Sequence, residues 1–113
     1  MNDCIFCKII AGTVPCDKLF EDEDVLALKD INPKGPVHIL LVPKKHYPTL
    51  NDIPEKELPV VSKIFGIAQK LAKETGVAES GFRTLVNTNK NAGQVVFHVH
   101  WHLIGGKPLG MMA

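Results

Sequence analysis

His98-Val99-His100-Trp101-His102-Leu103-Ile104 sets three imidazoles at alternate positions with apolar residues between them. A period of two belongs to a strand, whose successive side chains point to opposite faces. His98, His100 and His102 are then expected on one face. Val99, Trp101 and Leu103 are expected on the other, where they can enter a core. Successive rings would stand ~6.6 Å apart at Cα, from a rise of ~3.3 Å per residue, so all three could converge on one phosphate or one metal. The chain has five histidines, and three of them fall here. A strand with three solvent-facing histidines is the plainer alternative; this concentration favours a site.

The segments before the triad read as short elements joined by turns. Residues 4–11 suggest a short helix stopping at Gly12, with Ile5, Phe6, Ile9 and Ile10 as its buried stripe. Lys18–Glu21 and Val25–Lys29 suggest a strand pair turning at Asp22-Glu23-Asp24. Asn32-Pro33 and Gly35-Pro36 fix a loop, and residues 37–42 form an apolar strand ended by Pro43. Pro54-Glu55-Lys56-Glu57 predicts the start of a long helix capped by Asp52 or Asn51 and ended by Gly76. Val61, Ile64, Phe65, Ala68, Leu71 and Ala72 form its apolar stripe. Residues 82–87 predict a further strand, 88–94 a polar loop, and 96–104 the last strand, which carries the triad. The expected class is α+β: one domain over residues 1–113, an antiparallel sheet of about five strands, and one long and one short helix. Its open edges could be covered by a second copy.

Composition narrows the function. The 113 residues are 45% hydrophobic, enough for a core, with a net charge of +1 from 13 basic and 12 acidic residues. This balance gives no sign of a nucleic-acid groove or a membrane surface, so an anionic substrate would need local donors. No apolar run approaches the ~20 residues of a membrane span. Met1-Asn2-Asp3-Cys4 lacks a basic leader region, and three cysteines make a poor disulfide framework, so a reducing, cytoplasmic location is expected.

The triad matches the pattern His-φ-His-φ-His-φ-φ. Further matches are Cys4-Ile5-Phe6-Cys7-Lys8-Ile9-Ile10, Asp30-Ile31-Asn32-Pro33, Pro36-Val37-His38, Val42-Pro43-Lys44-Lys45-His46, Val86-Asn87 and Gly93-Gln94. In this order the chain resembles the histidine-triad family, in particular its Hint branch of nucleotide phosphoramidases. The resemblance implies a homodimer whose sheets join, and a hydrolase acting on purine nucleotides at the P–N bond. It assigns the nucleophile to His100, phosphate contact to His102, and an orienting or proton-relay role to His38, with His98 completing the catalytic set. The second nitrogen of His100 would need an acceptor, such as a backbone carbonyl, to fix its tautomer.

Asn87 is implied as a phosphate donor and Asp30 as the ribose acceptor, while Gly93 allows close backbone approach, so that the amides of Gln94 and Val95 can point into the site. Ile5, Phe6, Ile9, Leu28 and Ile31 are implied as the purine slot. Val95 replaces the serine, and Lys29 the histidine, found in many relatives. Taken alone, Asp30 reads as a turn residue, and the apolar residues as core. A dinucleoside polyphosphate hydrolase, a non-catalytic nucleotide-binding scaffold and a zinc-held structural module are the rival readings.

Cys4-x-x-Cys7 with His46 and His98 makes a Cys2His2 set suited to a structural zinc, as matching residues bind zinc in some relatives. The plainer alternative is two reduced, half-buried cysteines on a short helix. Cys16 reads as an ordinary residue.

Overall fold

Asp22 explains the first hairpin. Its Oδ1 accepts from the amides of Asp24 (2.8 Å) and Val25 (2.9 Å), which closes the turn between β1 (Lys18–Glu21) and β2 (Val25–Lys29). The computed structural model describes residues 3–112. Met1 and Asn2, on which part of the leader argument rests, lie outside the described residues. β3 (Val37–Pro43) pairs antiparallel with β2, placing Leu28 opposite Leu40. β5 (Trp101–Gly105) lies between β3 and β4 (Phe82–Val86), antiparallel to both. The five strands run in the order β1-β2-β3-β5-β4, leaving β1 and β4 as edges. The α+β class, the antiparallel sheet and the long helix are as expected.

Alternation divides the sheet into two faces. Val25, Ala27, Ile39, Leu41, Val99, Trp101 and Leu103 join one core, roofed by Ile64, Ile67, Ala68, Leu71 and Ala72 of the long helix α2 (Pro59–Glu74). Leu26, Leu28, Leu40 and Val42 face the other way and pack with Phe6 of the short helix α1 (Ile5–Ile10). Each such fully buried side chain contributes roughly 1.5–3 kcal/mol relative to exposure. Among the described residues no helix is long and apolar enough to cross a membrane.

Four local expectations need correction. The long helix starts at Pro59 and not at Pro54: Pro59 takes the first turn, where its missing N–H would have no partner, while Pro54 only precedes a 3-10 turn. The preceding chain makes two 3-10 turns, Leu50–Asp52 and Glu55–Glu57. Asp52 and Asn51 do not cap the long helix. Asp52 accepts from the Thr49 amide (2.9 Å) and hydroxyl (2.8 Å), while Thr49 Oγ1 accepts from the Asn51 amide (3.0 Å). On α2, Phe65 is 43% exposed and Ile67 takes its place in the core. On α1 only Phe6 is fully buried and Ile5 is 41% exposed, since this helix borders an open cleft.

The triad strand is also shorter than expected. Pairing with β3 and β4 stops at Trp101, and upstream the Val99 amide donates to Tyr47 O at 2.7 Å. His98 and His100 therefore precede the strand. The in-out alternation nevertheless holds through Val99, which is fully buried.

Candidate active site

Hydrogen bonds to backbone groups determine the tautomers of the triad. A carbonyl only accepts, so the 2.8 Å contact between His100 Nδ1 and His98 O makes Nδ1 the protonated nitrogen and leaves the lone pair on Nε2. His98 Nε2 likewise donates to Pro43 O at 2.8 Å, which leaves its lone pair on Nδ1. The amide of Lys34 donates to His38 Nδ1 at 2.9 Å, so His38 carries its proton on Nε2. That nitrogen lies 2.9 Å from His102 Nδ1, which must accept, and His102 is left with an Nε2–H. The site therefore presents one imidazole lone pair, on His100, and one imidazole donor, on His102, with the rings 5.1 Å apart. Phe6 packs beside His100 with ring centres 5.0 Å apart.

Burial lowers the pKa of His100, although the His98 carbonyl and Asp30 both oppose the shift. Burial also pushes His102 down to about 4, helped by His100 and His38 and opposed by Asp30. His38 is lowered for the same reason. Below its ordinary value of 6.5 the unfolded chain binds protons that the folded His102 refuses. Its contribution to stability is complete above that pH and is lost as pH falls toward 4. We expect His102 alone to remove about 2 kcal/mol of unfolding free energy between pH 7.5 and 5. Urea denaturation at both pH values checks this, and His102→Gln should flatten the slope; equal slopes would contradict it.

The rings open onto a cleft of about 630 Å³. Ile5, Phe6, Ile9, Leu28, Asp30, Ile31, Asn87, Val95, His38, His100 and His102 all line it. Gly93 and Gln94 do not. Gln94 is buried, and its side chain holds the loop: Oε1 accepts from the Asn89 amide (2.8 Å), while Nε2 donates to Pro48 O (2.8 Å) and Val96 O (3.0 Å). Gly93 supplies the left-handed turn at φ +84° that brings Gln94 inward. The sequence reading missed Leu40, Leu85 and Ile104 as cleft walls. Strand alternation could have found them, since Leu40 and Leu85 lie opposite His102 and Ile104 follows it by two. Val14, Pro15, Cys16, Asp17 and Lys29 also line it.

A second cluster lies behind the triad. Cys4, Cys7, His46 and His98 bring one ligand atom each within 4.8 Å of one another. His98 Nδ1 is 3.2 Å from Cys4 Sγ, 3.5 Å from Cys7 Sγ and 3.1 Å from His46 Nδ1, and Cys7 Sγ is 3.3 Å from His46 Nδ1. Ligand bonds of ~2.0–2.3 Å in a tetrahedron imply edges of roughly 3.3–3.8 Å, so the donor set fits one zinc-sized cation. By accepting from His98 Nε2, Pro43 O aims the lone pair of the fully buried His98 into the cluster, as a carbonyl behind a ligating histidine does.

An imidazole lone pair beside an imidazole donor, at the head of an apolar cleft, suits attack on a phosphoryl centre and defines a hydrolase of the histidine-triad kind. The HIT domain family matches residues 11–109, and the chain belongs to it. It is 42% identical over 111 residues to a protein of Escherichia coli (strain K12) named purine nucleoside phosphoramidase, covering 98% of this chain and 93% of that protein. It is 46% identical over 107 residues to an Arabidopsis thaliana protein named adenylylsulfatase, covering 94% of this chain and 53% of that protein. The structure superposes on a histidine triad protein from Clostridium difficile with a TM-score of 0.95 at 49% identity, covering 100% of this chain and 98% of the other. The protein is a hydrolase of this family.

Proposed function

We propose that this hydrolase binds a purine nucleotide and cleaves the P–N bond of adenosine 5′-phosphoramidates, including AMP-amine and AMP-lysine adducts. The observation that carries this reading is the His98 carbonyl holding the Nδ1 proton of His100, so that Nε2 meets the cleft as a neutral nucleophile. In the first step Nε2 forms a bond to the α-phosphorus, the P–N bond breaks, and the amine departs with a proton. Water then attacks the nucleotidyl-histidine, releasing AMP and restoring the lone pair. His102 Nε2–H and Asn87 are the donors for the phosphoryl oxygens, where charge accumulates. The side chains of Ile5, Phe6, Ile9, Leu28 and Ile31 offer an apolar slot for the base.

His38 acts by orientation and not as a proton relay. With Nδ1 held by the Lys34 amide, passing on its only proton would leave an imidazolate. Val95 is 86% exposed at the cleft rim and has no side-chain donor for the leaving group. The plant relative's name supports a wider reading in which other groups leave from the same adenylyl phosphorus.

Cys4, Cys7, His46 and His98 would hold a structural zinc. A bound cation there would tie α1 to the chain before β5, with protein ligands filling all four positions. The reading also includes a homodimer, supported by the open β4 edge with its 37% exposed Phe82 and by exposed Leu58 and Phe65 near and on α2. Sedimentation should give twice the chain mass, and a monomer at all concentrations would refute the dimer.

The activity is tested by incubating purified protein with an adenosine 5′-phosphoramidate of a fluorescent amine and, in parallel, with a dinucleoside polyphosphate. Faster release of the amine is expected. Faster cleavage of the polyphosphate would favour the other branch of the family, and tight AMP binding without any turnover would favour a scaffold.

A further inference from the structure

A single peptide group stands behind the nucleophile. The His98 carbonyl that accepts from His100 Nδ1 and the amide of Val99 belong to the same peptide unit. That unit is planar and trans, so its carbonyl and its amide point in opposite directions. The Val99 amide donates to Tyr47 O at 2.7 Å. A carbonyl held still at Tyr47 therefore fixes the direction of the carbonyl that keeps the His100 proton. Ladder pairing does not supply this hold, since β4 ends at Val86 and β3 pairs with β5 only from Val37 to Leu41. The chain that follows β3 takes over. Pro43 O accepts from His98 Nε2 and Pro48 O accepts from Gln94 Nε2, both at 2.8 Å, and Tyr47 O lies between them in sequence.

The side chain of Tyr47 anchors its own carbonyl. The ring is buried in the core roofed by α2. The hydroxyl donates to Glu57 Oε1 at 2.5 Å, in the 3-10 turn before α2. Lys45 Nζ donates to the same oxygen at 2.8 Å and stands 5.7 Å from the centre of the Tyr47 ring. Hydrogen bonds to an ionised acceptor are the stronger kind. A phenylalanine would fill the same core space, but only the hydroxyl gives the loop a directional hold.

We propose that Tyr47 is a positioning residue for the nucleophile: anchored by its bond to Glu57, its carbonyl orients the His98–Val99 peptide group and so keeps the proton of His100 on Nδ1. This rests on the nucleophilic role given to His100 above and adds the device that holds its tautomer. When that peptide group tilts, the His98 carbonyl leaves His100 Nδ1. The proton can then move through solvent to Nε2, and the nitrogen facing the cleft loses its lone pair. Tyr47 lies outside the cleft, so it acts on the chemical step and not on nucleotide affinity.

Tyr47→Phe and Glu57→Ala each remove the bond, whereas Glu57→Gln keeps an acceptor for the hydroxyl. With an adenosine 5′-phosphoramidate the first two should each lose about tenfold in kcat, the hold of one hydrogen bond, with KM and AMP affinity within about twofold of wild type. Glu57→Gln should keep kcat within about threefold of wild type. The double variant should be no slower than the slower single one, because both changes act through one bond. The Glu57 side chain is 25% exposed, so Glu57→Ala covers the case in which Tyr47→Phe does not fold. A residue that serves only the core would shift Tm and leave kcat alone. That outcome, or a loss confined to KM, would overturn the proposal.

Nitrogen-15 NMR of His100 at pH 7.5 gives an answer that needs no turnover. The wild type should show a protonated Nδ1 and a bare Nε2, and in Tyr47→Phe and Glu57→Ala the two signals should move toward each other as the tautomers mix. Identical His100 signals in the wild type and both variants would overturn the proposal alone. A wild type without phosphoramidate turnover would remove the function reading, and the NMR comparison would still decide whether Tyr47 sets the tautomer.

Discussion

Replacing His100 with alanine should lower phosphoramidate turnover by at least about 10⁴-fold and leave nucleotide affinity within about threefold of wild type. The asymmetry follows from what each part of the cleft does. On the proposed reading, affinity comes from the apolar cleft walls on α1 and β2, from Asp30 and from Asn87, which line the cleft with His100 but do not require its ring. Turnover requires a lone pair aimed at phosphorus, and among the triad and His38 only His100 keeps one on the nitrogen not committed to another group. Water in its place would have to attack a crowded anionic phosphorus without activation. The ring is neither fully buried nor part of the main core, so its loss should leave the fold intact, and His100→Asn keeps more of the bulk beside Phe6. Steady-state kinetics with equilibrium AMP binding checks both halves. Residual activity within tenfold of wild type would remove His100 from the chemistry.

The second large effect concerns the Cys2His2 cluster. Purified protein should carry about one zinc per chain, and Cys4→Ser or Cys7→Ser should lose it. We expect a loss of about 3 kcal/mol and a fall in Tm of about 10–20 °C. The loss is smaller than in zinc fingers, which unfold without metal, because both faces of the sheet have cores of their own. It is still substantial, since α1 is only six residues long and rests on Phe6 and the cluster. A chelator should reproduce the fall in wild type and leave the serine variants unmoved. Metal-free wild type prepared without chelator, with the same Tm as the variants, would contradict the assignment.

The elements easiest to read from the sequence were those whose pattern is enforced by burial. β1 and β2 have the bounds expected of them, because an apolar run is cut on each side by acidic or turn residues that cannot enter the core. The alternation of the triad survived even where the ladder did not. Val99, Trp101 and Leu103 are all buried in one core, which forces the histidines to the opposite side. Less legible was where pairing ends. β4 ends at Val86 opposite Trp101, and β3, although it continues to Pro43, pairs with β5 only as far as Leu41, a fact held by neighbouring strands and not by residues 96–100. The start of α2 was misplaced for a different reason: Pro54 and Pro59 both suit a first turn, and only tertiary packing of Ile64 and Ile67 selects the second.

The candidate site shows the same division. Residue types announced the histidines, the cysteine pair and Asp30, but the distances joining them span 94 residues of chain between Cys4 and His98 and 64 between His38 and His102. Gln94 was singled out for its backbone, whereas its side chain does the work of holding the loop, because Gly93 turns it inward. The tautomers were beyond a sequence reading, since the groups that determine them are carbonyls and amides that every residue possesses.

The proposed reaction requires that phosphorus be attacked first by His100 and only then by water. The stereochemical course at phosphorus tests this most directly, using an adenosine 5′-phosphoramidothioate of defined configuration hydrolysed in oxygen-18 water. Two in-line displacements predict overall retention. Overall inversion would show a single direct attack by water and would contradict the account.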